Sequence, residues 1–266
     1  MSAFFFPSTS APLRAIIARE LQAAILNRYL QVFSLLALAG GIGAALLADS
    51  PDATPMLILQ IALYFVSLFA LLIGTSSARA ESAEWPLLFA QPLFRAAFLL
   101  GKFLALTLMF AGLLALLFFP LLFVRPPDGN LPGLYLRTLT LAAVFIALGL
   151  GAGFVARDRV QGLILGVSAW LFFLFGLDLV ALLMARSPVL QGAPDIWSAA
   201  LMLNPLDAFR VDALFTMERI PAEAAGHTGL TRWWLAQSGL WFLLVSILWQ
   251  SALLAATARR LRRWEE

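Results

Sequence analysis

The sequence predicts an all-α integral membrane protein with six transmembrane helices, and three observations carry that prediction. Of 266 residues, 62% are hydrophobic, 12% are charged and 22 are phenylalanine, with a mean hydropathy of +0.90. So little polar side chain does not cover a water-soluble globule. The apolar residues also fall into runs of about 20, the length a helix needs to cross a hydrocarbon core about 30 Å thick, where a β-barrel would show short alternating segments. Finally, Lys and Arg gather in alternate connections between those runs, as the retention of cations on the cytoplasmic side during insertion requires.

The elements follow in order. Residues 1–29 read as a cytoplasmic tail. Its start, MSAFFFPSTSAP, lacks a cationic region followed by a long apolar core and cleavage site, so the first span is expected to stay in the protein. Next, PLRAIIARELQAAILNRYL carries an imperfect apolar stripe through Leu13, Ile16, Ile17, Leu21 and Ala24, interrupted by Glu20. That pattern predicts an amphipathic helix lying at the interface. Spans are predicted at 30–48, 55–77, 103–124, 134–156, 161–185 and 233–256, together a transmembrane unit over 30–256. Breaks rich in Pro, Gly, Asp and charge separate them: SPDATP, ESAEWPLLFAQPLFRAAFLLGK, RPPDGNLPG, RDR and an outer loop at about 186–232. Residues 257–266 form a basic cytoplasmic tail, and no internal repeat is visible.

Orientation comes from the cations. Arg14, Arg19, Arg28, Arg79, Arg95, Lys102, Arg157, Arg159, Arg259, Arg260, Arg262 and Arg263 fall on one side, against Arg125, Arg137, Arg186, Arg210, Arg219 and Arg232 on the other. Both termini are therefore expected to be cytoplasmic. Trp233, Trp234 and Trp264 sit at the ends of the sixth span, where amphipathic rings favour headgroup depth. The net charge of +3 is spread over tails and turns rather than gathered in a stripe, so the partner it implies is the lipid bilayer and not a nucleic acid.

Catalytic chemistry finds no residues to support it. No cysteine is present, which excludes disulfides and thiolate metal sites. The one histidine, His227, lies in the loop AAGHTG, and the methionines at 1, 56, 109, 184, 202 and 217 are scattered rather than paired as soft-metal ligands. Ser168 in GVSAW lacks the second glycine of a nucleophile elbow. Gly101-Lys102 ends no phosphate-binding loop, because Ala96 stands at the first glycine of GxxxxGK[ST] and Phe103 at the hydroxyl. The chain is expected to bind no metal or cofactor of its own and to be no enzyme.

Between the second and third spans, Glu81 and Glu84 share a helix face at i,i+3, and Trp85, Leu88 and Phe89 continue it as an apolar surface. Pro92 ends one helix and starts another, on which Arg95 and Lys102, seven apart, lie on one side at the depth of lipid phosphates. From the residues alone, this knob serves equally as an interfacial pad or as a docking site. The run Glu81, Glu84, Leu87-Leu88, Gln91-Pro92, Arg95 and Gly101-Lys102 resembles the cytoplasmic connection of ABC type-two exporter permeases, with Trp85-Pro86 where that family more often has Gly-Thr. The resemblance implies that Glu81, Glu84, Trp85, Leu88 and Arg95 form a coupling helix. That helix would dock on a cytoplasmic ATPase subunit carrying ATP and Mg.

In the outer loop, LNPLDAFRVDALF marks a helix start, with Asn204 as N-cap, Pro205 in the first turn, Asp207 where a carboxylate meets unpaired N–H groups, and Arg210 three residues on. Leu206, Phe209, Ala213, Leu214 and Met217 form its stripe. Capping alone accounts for these residues. NPxDxFR, together with the upstream RELxxxxxNR, also resembles the NosY-type permeases of the transporter that matures the copper sites of nitrous oxide reductase. The likeness covers nearly the whole chain, and implies a homodimer in a bacterial inner membrane with a periplasmic partner held by the outer loops. Asp178 falls inside the fifth span, where an acidic residue costs about 2.5–3.5 kcal/mol on insertion scales. It either lines a translocation cavity, pairs with a neighbouring span, or is a partly snorkelled structural carboxylate. Gly149 and Gly153, and Gly162 and Gly166, are small-xxx-small pairs that serve packing inside one chain or between two. Two other readings stay open: an exporter of lipid-linked glycan, drug or peptide, and a membrane anchor or passive channel.

Overall fold

Why the runs become helices is a matter of backbone satisfaction: in lipid every N–H and C=O must bond within its own segment. The structure is a computed structural model that describes residues 17–22, 27–47, 53–80, 95–124, 131–184, 202–218, 233 and 236–262. Every regular element among these residues is helical, and six helices are long and apolar enough to cross a membrane.

Helix α1 is Arg28–Leu47, started by Asn27, whose Oδ1 accepts from the Tyr29 N–H at 3.0 Å. Helix α2 runs through Ala53–Ile61, a π-helical turn Ala62–Val66, and Ser67–Ala80. Helix α3 is Arg95–Phe118, and after a turn at Phe119-Pro120, where proline removes a donor, the chain adds a last turn Leu121–Val124. Helix α4 is Leu131–Val155. Helix α5 comprises Arg159–Leu171, a second π turn Phe172–Gly176, and Leu177–Met184. Helix α6, Pro205–Glu218, is too short at 14 residues to span, and α7, Ser238–Arg262, is the sixth span. The third span thus begins eight residues before its predicted start, absorbing the second helix expected after Pro92. The last begins later than predicted and carries Arg259 and Arg260 on its final turns.

The RDR turn before α5 explains itself locally. Asp158 Oδ1 accepts from the Gln161 N–H at 2.7 Å, while Gln161 Oε1 accepts from the Arg157 N–H at 2.7 Å, a reciprocal arrangement that satisfies two donors at the helix start.

Helix α4 is the axis of the bundle: 72% of its spanning window is buried, against 17% in each of α5 and α7. Its tightest partner is α2, and glycine makes that approach possible. A Cβ on Gly74 would lie 2.6 Å from the Ile146 carbonyl oxygen, and one on Gly149 would collide with the Leu71 carbonyl. Gly153 faces Thr75 and Ala78 of the same helix, and Gly162 and Gly166 set α5 against Thr75 and Leu71. All four predicted small residues therefore pack inside this chain. Aromatic rings fill the remaining seams: Phe33 of α1 stacks on Phe110 of α3 at 4.6 Å, and Phe173 of α5 meets Phe145 of α4 at 6.4 Å and Trp249 of α7 at 5.0 Å.

Candidate functional site

Polar side chains concentrate at the two ends of the bundle. At the end where α2 finishes and α3 begins, here called the terminal end, residues 17–22 are helical and direct Glu20 inward while Leu21 is exposed. The stripe residue Leu21 thus faces outward, as an interfacial helix requires, and the residue that interrupts the stripe faces the bundle, for a physical reason. Lipid accepts a leucine but not a carboxylate, so the residue needing a partner takes the inner face. That partner is Lys102, whose Nζ donates to Glu20 Oε1, while Ser77 Oγ donates to Glu20 Oε2 at 3.0 Å. Glu20 is 4% and Lys102 1% exposed. The Lys102 ammonium also lies 5.5 Å from the centre of the Phe98 ring, within the range of a cation–π contact. Lys102 is therefore inside the bundle, paired with Glu20, and not among lipid phosphates as its spacing from Arg95 predicts.

At the other end, α6 docks across the mouths of α4, α5 and α7, and three bonds hold the chain leading into it. Trp241 Nε1 donates to the Met202 carbonyl at 2.8 Å, Trp249 Nε1 to the Leu203 carbonyl at 2.9 Å, and Asn204 Nδ2 to the Phe173 carbonyl at 2.7 Å. The last acceptor exists because of the π turn. Leu177 N–H reaches back to Phe172, five residues, rather than to Phe173, four residues, and the Phe173 carbonyl takes its proton from Asn204 instead.

Asn204 is also the predicted cap, its Oδ1 accepting from the Leu206 N–H at 3.1 Å, and its Nδ2 contacts Asp207 Oδ2 at 2.6 Å. Asp207 in turn pairs with Arg210, Oδ1 to Nη1, at 3.3 Å. Burial lifts the Asp207 carboxyl above its ordinary range; the Asn204 bond and the Arg210 charge oppose that rise, and the charge of Asp178 adds to it. Leu206, Phe209 and Ala213 are buried as the stripe predicts, and Pro205 is buried in the first turn.

A second ion pair on α6 escaped the sequence. Arg137 Nε of α4 donates to Asp212 Oδ2 at 2.5 Å, and Ser238 Oγ, at the start of α7, donates to Asp212 Oδ1 at 3.1 Å. Asp212 is fully buried. The usable signal was a second carboxylate five residues after Asp207, about 140° round the helix and beside the apolar stripe.

Of the other predicted residues, Asp178 is exposed on α5, and no bond or ion pair holds it among the described residues. Arg95 is the first residue of α3. Glu81, Glu84, Trp85, Leu88, His227, Trp234 and Trp264 lie outside the described residues. Among the described residues, no three His, Cys, Asp or Glu side chains cluster so as to hold a metal ion.

No protein-family model matches the chain. It is 31% identical, over 273 aligned residues, to a protein of Pseudomonas aeruginosa described as "Probable ABC transporter permease protein NosY", an alignment covering 93% of this chain and 97% of that one. A likeness that runs from end to end, over a bundle of six apolar helices, assigns the whole chain rather than one motif. The chain belongs to the NosY family of ABC transporter permeases.

Proposed function

We propose that this permease subunit couples ATP hydrolysis by a separate cytoplasmic ATPase to the maturation of the copper sites of nitrous oxide reductase. The observation that carries the reading is the end-to-end alignment with a NosY permease. The chain supplies no chemistry of its own. Its part is mechanical: the connection 81–94, with Glu81, Glu84, Trp85 and Leu88 ahead of Arg95, receives the ATPase, and the bundle carries the displacement to α6. Two copies in a bacterial inner membrane, termini in the cytoplasm, form the pathway, and a periplasmic partner sits over the outer helix. The species handled is copper, a sulfur compound, or force alone on that partner.

The anchoring of α6 supports this reading, because three spans hold it or the residues leading into it: α4 through Arg137 and α7 through Ser238 on Asp212, and α5 through the Phe173 carbonyl and α7 through Trp241 and Trp249 on Met202 to Asn204. A shift of those spans relative to one another is felt at α6. The test is purification from the native host in mild detergent, with identification of what accompanies the chain. An ATPase and a periplasmic protein are expected, and Glu81→Lys with Glu84→Lys releases the ATPase while the spans stay inserted. An ATPase without a periplasmic partner favours a general exporter. A solitary chain that passes ions in vesicles without nucleotide overturns the reading.

A further inference from the structure

The Glu20 carboxylate lies between the two helix ends that flank the connection 81–94. Ser77 stands four residues before that connection and Lys102 eight after it, yet both donate to one carboxylate that belongs to neither helix. Elsewhere α2 packs chiefly on α4, and α3 on α4 and α1, so the two meet only lightly. A buried ion pair adds little net stability over a well-packed apolar pair, but separating its partners leaves two uncompensated charges. The joint is therefore stiff against sliding.

We propose that Glu20, Ser77 and Lys102 form a positioning clasp that makes residues 17–22 and both flanks of the connection 81–94 move as one body. The role rests on the permease reading above, in which an ATPase displaces that connection. Because the clasp holds both flanks to a third segment, a displacement entering at either flank turns the N-terminal segment with it instead of being absorbed as slip between α2 and α3. Phe98, one turn before Lys102, places its ring 5.5 Å from the ammonium and adds a cation–π contact to the joint.

The absence of cysteine allows a direct measurement. Ala18 and Ala97 are both exposed, one on each side of the clasp, and Ala18→Cys with Ala97→Cys accepts a pair of spin labels. In nanodiscs without any ATPase, one narrow distance distribution is expected, and in the ATPase complex it stays fixed between nucleotide-free and ATP-trapped states. Glu20→Met with Lys102→Met removes both members of the pair and so tests geometry without stranding either of these two charges. It is expected to melt with the parent chain yet broaden the distribution, and its complex hydrolyses ATP while losing delivery. Ser77→Ala, which leaves both charges paired, gives a smaller broadening. A narrow distribution in both variants, or a parent distance that moves with nucleotide, overturns the proposal. A chain that recruits no ATPase overturns the permease reading instead, and the nanodisc distances still decide whether the clasp fixes the joint.

Discussion

The two ends of the bundle solve the problem of polar groups near lipid in opposite ways. At the terminal end the ion pair of Glu20 with Lys102 is almost fully buried, and the Ser77 hydroxyl donates to the same carboxylate. At the α6 end the polar contacts are many and graded: Asp212 is fully buried, but the side chain of its partner Arg137 is 27% exposed and that of Arg210 34%. A dry pair has one geometry or none, whereas a network with a wet rim adjusts bond by bond. The difference teaches where each end tolerates motion. The terminal end turns as a block, and α6 can shift by exchanging contacts among three spans.

That contrast can be broken at its stiff end first. Lys102→Met leaves the Glu20 carboxylate buried without its countercharge and is expected to lower stability by about 3–5 kcal/mol, read as thermal unfolding in nanodiscs. Asp212→Asn keeps the shape but removes a charge-assisted bond whose other partner can turn to water, and about 1.5–3 kcal/mol is expected in the same assay. Asn204→Ala removes a cap and the bond to the π turn together. It is expected to cost about 1–2 kcal/mol, with faster amide exchange confined to α6.

Asp207 sharpens the comparison through pH. Burial holds its carboxyl above the ordinary range, so the folded chain binds that proton more tightly than the unfolded one. Stability from this group therefore rises as pH falls through the folded value toward the ordinary one, and is lost as pH climbs back. Asp207→Asn is expected to flatten that slope in a series of melts. The smallest effect belongs to Arg210→Ala, a half-buried i,i+3 partner whose guanidinium reaches water: under about 0.5 kcal/mol, and less still in high salt.

The six spans were legible because bilayer thickness imposes a length that composition alone reveals. The start of α6 was legible for a different reason: Asn204, Pro205, Asp207 and Arg210 act within one turn, so their spacing in sequence is their spacing in space. Lys102 was misread because its partner lies 82 residues away, and no periodicity within the connection points to it. Glu20 did show in the sequence as a break in an apolar stripe. What was missing were its partners, Ser77 and Lys102, which lie 57 and 82 residues away. Arg137 was visible only as an outer cation, and its bond to Asp212 depends on how α6 folds back over α4. Trp241 and Trp249 hid within an apolar span, where nothing distinguishes a ring that packs from one that also donates to a distant carbonyl.

The π turn in α5 also sets a phase. One added residue turns everything beyond it by about 100°, a single helical step, relative to an unbroken α-helix. Removing one residue from Phe172–Gly176 would thus wind Leu177–Met184 round by that angle, taking Asp178 off its present bearing and returning the Phe173 carbonyl to its own helix. Two outputs, the bearing of an acidic side chain and the mooring of an outer helix, are geared to one supernumerary residue.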